Sequence, residues 1–163
     1  MSRGEYLLAD QPSELERLQL QSRVWEPSGR QVLTRIGDGS SLRALDVGCG
    51  ALGWLRILSE WVGPSGRVIG TDIDKHLLDA AGTFLDAEGI ANVELVVDDL
   101  FDSKLEPESF DLVHARYVIA PLGRGREQVA SHQRLVSPVA HSSWRSGTWA
   151  RGTSTLPPRR PSA

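Results

Sequence analysis

The stretch LRALDVGCGALG, residues 42–53, decides the fold of this 163-residue chain. Its first six residues are largely apolar and predict a buried strand. The next six form a G-x-G-x-x-G turn made by Gly48, Gly50 and Gly53, and a helix is predicted to follow as far as Val62. Glycines let a backbone approach a ligand closely, and the start of a helix offers free N–H groups. The stretch therefore predicts a ligand-binding turn at the carboxyl end of a strand.

Strand and helix patterns alternate after this turn. Short apolar runs predict three further strands, at Arg67–Thr71, Val93–Val97 and Phe110–His114. A helix is predicted between the first two of them, over Lys75–Glu88, and Gly89 ends it. Strands that alternate with helices are typical of βαβ units. We therefore predict an α/β fold with a Rossmann-like parallel sheet and flanking helices.

Two helices are predicted ahead of the first strand. Ser13 and Glu16 form the capping-box pattern S-x-x-E, which predicts a helix that starts there and ends shortly before Pro27. Proline is typical of a first helical position, so Pro27 predicts the start of a second helix, which ends at Gly37. We expect residues 1–39 to form a helical lid or cap.

The composition is that of an ordinary globular protein. The net charge is −3, so we expect no general attraction to nucleic acid or to anionic membranes. The only cysteine, Cys49, excludes an internal disulfide, and no apolar run approaches the roughly 20 residues that span a bilayer. The four histidines show no metal-ligand spacing. The sequence predicts a cytoplasmic protein without a metal and leaves its oligomeric state open.

Two carboxylates near the glycine turn indicate the kind of ligand. Asp72 ends the second predicted strand, where a Rossmann-like site needs an acceptor for ribose hydroxyls. Its alternative role is to cap the next helix. Asp46 lies two residues before Gly48, where it would repel a pyrophosphate but attract the sulfonium and ammonium groups of S-adenosylmethionine (SAM). Asp46 could also be a buried carboxylate bonded to amides of the turn, and the two roles can coexist. The pattern favours SAM over NAD.

Four segments resemble motifs of the class I SAM-dependent methyltransferases. In that family the first motif is an acidic residue followed by x-G-x-G, as at the start of the glycine turn. Val68–Asp74 looks like the second-strand motif, and Val96–Leu100 looks like the third. Phe110–Arg116 is similar to the fourth strand and its exit, where substrate and the methionine portion of the cofactor meet. The resemblance covers about residues 40–138, the predicted SAM-binding core.

The resemblance implies roles for several of these residues. In the family an acidic side chain after the third strand binds the adenine amino group, and the next backbone N–H reaches a ring nitrogen. Asp99 and Leu100 match these positions, with Asp98 as the alternative register and a solvated turn as the structural alternative. Leu52 departs from the family, in which many members have glycine. The predicted cofactor-binding residues are Asp46, Gly48, Cys49, Gly50, Gly53, Asp72, Ile73, Asp99, Leu100 and Arg116.

Four other side chains are interpreted as mainly structural, and two of them also have a chemical alternative. Cys49 is predicted to be a small residue in a tight turn rather than a nucleophile. His114 could act as a base, but a histidine at a strand end is more often structural. Trp54 and Trp61 are interpreted as packing residues of the predicted helix. No catalytic residue is assigned, because methyl transfer from a sulfonium can rest on proximity and orientation.

The sequence pattern changes after Glu127. No Asp or Glu follows it. From Ser137 onward prolines and basic residues accumulate, and no strand or helix period is visible. Residues 139–163 are therefore predicted to be disordered. The resemblance implies a Pro-Gly-Gly turn and an apolar fifth strand after Pro138, and one base inserted into a suitable back-translation of Pro138–Ser146 produces both. We interpret the tail as an out-of-frame segment, so that only strands 3-2-1-4 of the methyltransferase sheet are present.

The predicted function is SAM-dependent methyl transfer to a small-molecule acceptor, with this chain carrying mainly the cofactor-binding half. Two alternatives remain open. One is an NAD(P)-binding oxidoreductase, which Asp46 disfavours. The other is a SAM-binding fragment without catalytic activity, which differs from the first prediction only in turnover.

Overall fold

The computed structural model of the chain describes residues 12–116, 118, 124–138 and 148–150. Four parallel strands form its centre, in the order β3-β2-β1-β4. Their bounds are Arg43–Val47 (β1), Arg67–Asp72 (β2), Val93–Val97 (β3) and Leu112–Ala115 (β4). The predicted α/β fold and the predicted strand order are confirmed. The bounds of β3 are as predicted. β1 and β2 differ from the prediction by one residue at one end, and β4 starts two residues later and ends one residue later than predicted.

Helices cover both faces of this sheet. The described residues form the helices Pro12–Ile36 (α1), Leu55–Val62 (α2), Lys75–Ala87 (α3) and Gly125–Leu135 (α4). Neighbouring residues of β1 point to opposite faces: Ala44 belongs to the core that packs α1, α2 and α3, whereas Leu45 belongs to the core that packs α4. None of the helices in the described ranges combines the length and the apolarity needed to cross a bilayer.

The N-terminal helix differs from the sequence prediction. α1 begins at Pro12, before the predicted cap residue Ser13, and it continues without interruption through Pro27. The predicted capping box and the predicted division into two helices are therefore wrong. An interior proline removes one backbone hydrogen bond and costs a helix about 3 kcal/mol. Tertiary contacts must offset this cost.

Contacts on both sides of Pro27 hold α1 against α2. Two ion pairs join the helices, Glu26–Arg56 and Arg30–Glu60. Between them, Gly29 packs so closely on α2 that an added Cβ would lie 2.5 Å from Ile57 Cδ1. Because these contacts flank the proline within about one helical turn, both halves of α1 stay on the same partner. Packing, rather than local propensity, therefore makes α1 one helix.

The edge of β4 carries a short additional strand. Thr148–Ala150 (β5) pairs antiparallel with β4. The prediction of disorder over residues 139–163 therefore does not hold at these three residues, and the other residues of that segment lie outside the described ranges. The physical reason is the edge itself. In the described ranges no parallel strand pairs with Leu112–Ala115 on the side away from β1, so the N–H and C=O groups of that edge can pair with an extended segment.

α4 contains a fully buried histidine. His132 Nδ1 lies 2.7 Å from the carbonyl oxygen of Gln128, and its Nε2 has no hydrogen-bond partner in the part of the chain that the structure describes. Burial lowers the pKa of His132, the Gln128 carbonyl opposes this shift, and His114 adds to it. The folded protein therefore favours the neutral imidazole.

Replacing Pro27 with alanine should stabilise the protein, because the new N–H can bond to the carbonyl of Arg23 in a helix that already continues on both sides. We expect the free energy of unfolding to rise by about 1–3 kcal/mol, which a thermal melt would record as an increase of several degrees. Ser28→Ala, at the adjacent exposed position, is the matched control and should change the melting temperature little. An unchanged melting temperature for Pro27→Ala would show that α1 is broken at this residue.

Stability should fall as the pH drops below the ordinary pKa of histidine, about 6.5. In that range the unfolded chain takes up a proton at His132 that the folded chain resists, so protonation favours unfolding. Melting temperatures measured from about pH 8 to about pH 5.5 should therefore decline less in His132→Leu than in the wild type. His76→Asn, which changes an exposed histidine of α3, should decline like the wild type. Parallel curves for His132→Leu and the wild type would contradict this prediction.

Candidate functional site

The glycine turn after β1 needs its three glycines for different reasons. Gly48, Gly50 and Gly53 have φ values of +64°, +58° and +51°, the left-handed region that favours glycine. An added Cβ on Gly48 would collide with Val118, and one on Gly53 would collide with Asp46. No described atom lies within 4 Å of the corresponding position on Gly50. Packing therefore requires the two outer glycines, whereas the space beside Gly50 is open to a ligand.

Asp72 connects the glycine turn to the end of β2. Its Oδ2 accepts a hydrogen bond from the Gly50 N–H at 2.9 Å, and its Oδ1 accepts one from the Asp74 N–H at 3.0 Å. The residue that caps α3 is Asp74, whose side chain accepts from the His76 N–H at 2.9 Å. Asp72 is therefore not the residue that caps α3.

The surroundings of Asp72 leave it able to bind a ligand. A carboxylate has about four acceptor sites, so hydroxyl groups can bind beside the backbone amides. Burial raises the pKa of Asp72, and the amides of Asp74 and Gly50 offset part of this shift. A ligand hydroxyl that donates to the carboxylate would further favour its charged form.

Asp46 is a buried carboxylate behind the turn. Its side chain is 2% exposed, its Oδ2 accepts from the Trp54 N–H at 2.7 Å, and its Oδ1 lies 2.6 Å from His114 Nδ1. The Trp54 indole stacks on the His114 imidazole with ring centroids 3.9 Å apart. The structure therefore agrees with the structural interpretation of both residues. Asp46 is a buried carboxylate bonded to a backbone amide, and His114 is a packing residue.

Two further residues of the turn face the protein interior. The side chains of Cys49 and Leu52 are buried, and the Cys49 N–H donates to the Thr71 carbonyl at 2.9 Å. Burial, followed by the charges of Asp46 and Asp72, raises the pKa of the Cys49 thiol well above its usual value. A protonated thiol is a poor nucleophile, so this geometry agrees with the interpretation of Cys49 as a small turn residue.

Exposed apolar side chains flank Asp72 on both sides. Ile73 follows Asp72 in the chain and is 62% exposed. Val97 pairs with Asp72 in the register of β2 and β3 and is 55% exposed. Exposed residues of this size beside a polar acceptor suit a flat apolar ring. The sequence pattern does not distinguish Val97 from a core residue, because it lies at the end of an apolar run. The parallel register is what places it beside Asp72.

The loop after β3 contains the predicted adenine-binding residues. Asp98 accepts a hydrogen bond from the Lys104 N–H at 3.0 Å, and Asp99 accepts one from the Phe101 N–H at 2.9 Å. Both carboxylates thus stabilise the backbone of the loop, in agreement with the interpretation of Asp98 and Asp99 as residues of a turn. The next side chain, Leu100, is buried.

The sheet brings the candidate residues to one edge. Because all four central strands are parallel, the glycine turn, Asp72, the β3 loop and the half-buried Arg116 all lie at or beyond carboxyl ends of strands. The described ranges contain no group of three or more His, Cys, Asp or Glu side chains that could hold a metal. An open glycine turn, an accepting carboxylate and exposed apolar side chains suit a ligand that has hydroxyl groups and an aromatic ring, such as a nucleoside.

Comparison with known proteins agrees with this geometry. Residues 44–138, more than half of the chain, match a family model described as a methyltransferase domain. A demethylmenaquinone methyltransferase from Lactococcus lactis is 38% identical over 87 residues, which cover 53% of this chain and 34% of that protein. One from Geobacillus kaustophilus is 35% identical over 82 residues, or 50% of this chain and 35% of the relative.

A solved structure is similar over a larger share of the chain. The crystal structure of a SAM-dependent methyltransferase from Aquifex aeolicus superposes with a TM-score of 0.68 at 26% identity and covers 78% of this chain and 68% of that one. The chain spans about a third of the length of the curated relatives it matches. Its strand order, its glycine turn and the match over residues 44–138 lead to one conclusion. The chain belongs to the SAM-dependent methyltransferase family of class I, with the Rossmann-like fold and the cofactor of that family.

Proposed function

We propose that this chain binds SAM at the carboxyl ends of β1, β2 and β3 and serves methyl transfer to a small-molecule acceptor. The observation that carries the proposal is the hydrogen bond from the Gly50 N–H to Asp72 Oδ2. This bond holds the Asp72 carboxylate beside the open glycine turn. One ligand can therefore donate its hydroxyl groups to Asp72 and also contact the backbone of the turn. When bound, SAM supplies an electrophilic methyl group on a sulfonium.

The proposed roles rest on the position of each residue together with the resemblance to the family. Asp72 accepts the ribose hydroxyls, and Ile73 and Val97 flank the adenine ring. Asp99 and the backbone N–H of Leu100 are proposed for the adenine edge. The glycine turn and Arg116 are proposed for the methionine portion of the cofactor, since they follow the neighbouring strands β1 and β4.

Asp46 is proposed to act on the cofactor through its charge and through the turn. Both of its oxygens have partners inside the protein. Its negative charge lies directly behind the glycine turn, where an opposite charge on the ligand is favoured and a pyrophosphate is disfavoured. This position supports SAM over the NAD(P) alternative.

The names of the relatives support a particular class of acceptor. The Lactococcus and Geobacillus proteins are named demethylmenaquinone methyltransferases. We therefore propose an acceptor with a hydroxylated aromatic ring, such as a reduced quinone, as the first small molecule to test. Transfer of a labelled methyl group from SAM to a panel of such acceptors, with aliphatic alcohol and amine controls, would identify the class. If SAM binds but none of the acceptors is methylated, the proposed acceptor class is wrong, and the non-catalytic SAM-binding fragment becomes the favoured alternative.

The C-terminal tail is proposed to be out of frame. The match to the family model ends at Pro138, the residue after which the sequence pattern is lost. The nucleotide sequence around codon 139 tests the proposal directly. A frame-restored chain should then show a more cooperative thermal transition and a higher methyl-transfer rate than the present one. Equal behaviour of the two chains would contradict it.

Replacing Asp72 with alanine should weaken SAM binding by at least about tenfold, because hydrogen bonds to a charged acceptor contribute roughly 1.5–3 kcal/mol each. Isothermal titration calorimetry with SAM, with NAD as a comparison ligand, measures this change. Asp86→Ala, which removes an exposed carboxylate of α3, is the matched control and should bind like the wild type. Equal affinities of Asp72→Ala and the wild type would refute the ribose assignment.

Replacing Gly50 with valine should abolish SAM binding, because the side chain would fill the open space beside the turn. Gly89→Val is the matched control, since Gly89 also has a positive φ, +68°, and no described atom within 4 Å of an added Cβ. Both variants carry the strain of a left-handed valine, so their melting temperatures should fall to a similar extent. Only Gly50→Val should lose binding, and retained binding in that variant would exclude this placement of the pocket.

A further inference from the structure

Behind the glycine turn lies a buried polar cluster formed by Asp46, His114 and Trp54. Asp46 and His114 are partners in the register of β1 and β4, and both side chains are 2% exposed. The 2.6 Å contact between Asp46 Oδ1 and His114 Nδ1 assigns the ring hydrogen to Nδ1, which donates to the carboxylate. A carboxylate at this depth requires such a partner, because an unpaired buried charge is strongly disfavoured.

The two oxygens of Asp46 connect different elements. Oδ2 accepts from the Trp54 N–H at 2.7 Å and so fixes the residue that precedes α2, whereas Oδ1 is held by His114 from β4. Trp54 also stacks on the His114 ring, with 15° between the ring planes. His114 therefore restrains the turn twice, once through the carboxylate and once through the indole.

The position of the Asp46 carboxylate also sets how closely the turn can approach β1. Gly53 lies so near to Oδ2 that an added Cβ would collide with this oxygen, and it would also come within 2.8 Å of the Cys49 carbonyl oxygen. A carboxylate that moved toward the turn would meet Gly53, and one that moved away would release the Trp54 N–H. Any loss of its restraint would thus be transmitted to the backbone of residues 48–54.

We propose that His114 is a positioning residue for the cofactor turn: it holds the Asp46 carboxylate, and through it the backbone of residues 48–54, in the geometry that binds SAM. This inference rests on the proposed SAM site and adds a residue to it that makes no contact with the ligand itself. The exposure of His114, 2%, gives its ring no access to a methyl acceptor, so its contribution is structural preorganisation rather than proton transfer.

Two substitutions separate the hydrogen bond from the shape of the ring. His114→Asn retains an N–H donor near the position of Nδ1, and His114→Phe retains a ring that can stack on Trp54 but has no donor. We expect His114→Phe to raise the dissociation constant for SAM at least about tenfold, whereas His114→Asn should stay within about threefold of the wild type. Titration calorimetry on the full chain measures both values, and amide hydrogen exchange at Trp54 should be faster in His114→Phe than in His114→Asn.

A control separates positioning from a general loss of stability. Leu85→Ala removes a buried side chain of α3 on the core that also packs α1 and α2. It should lower the melting temperature as His114→Phe does and leave the dissociation constant for SAM unchanged. Should His114→Phe fail to fold, His114→Gln takes its place, because its longer side chain carries the amide past the Nδ1 position.

The outcomes distinguish this inference from the proposed function. If the wild type does not bind SAM, the proposed site and the role of His114 are both wrong. If the wild type binds SAM and His114→Phe binds equally well, only the role of His114 is wrong. Equal weakening in His114→Asn and His114→Phe would also overturn it, because the donor at Nδ1 would then not be the feature that matters.

Discussion

The geometry of the glycine turn depends on the two hydrogen bonds that hold the buried Asp46 carboxylate. This carboxylate lies at the end of β1, bonds to the backbone where α2 begins and contacts His114 of β4. A charge with 2% exposure is tolerated only because both of its oxygens have partners. The same requirement fixes the neighbours, since Gly53 must lack a side chain for the turn to pass over the carboxylate.

The second constraint is the parallel arrangement of the strands. Residues far apart in the chain, such as Gly50 and Asp72, meet because β1 and β2 end on the same side of the sheet. The carboxyl edge therefore collects amide donors of the glycine turn, the Asp72 carboxylate and the exposed Val97 side chain, which lie far apart in sequence. The role of this edge as a SAM site is proposed from that convergence and from the family to which the chain belongs.

Packing overrides local preference at two places in the fold. Pro27 would end most helices, yet ion pairs and the close approach of Gly29 to Ile57 keep α1 continuous. At the β4 edge of the sheet, Thr148–Ala150 pairs with β4, although the surrounding sequence has no strand pattern. In both cases a partner surface supplies the free energy that the segment itself lacks.

The sequence by itself determined the class of fold and the position of the glycine turn, because apolar periodicity and glycine spacing are local properties of the chain. The order of the four parallel strands was implied by the resemblance to class I methyltransferases. The sequence also singled out Asp46 and Asp72, because each is an acidic residue at the end of a predicted strand near the glycine turn. Only the tertiary structure decided that α1 is one helix, that Val97 lies beside Asp72 and that His114 is the partner of Asp46. These features depend on contacts between residues that are distant in sequence, and their free energies cannot be read from any single segment.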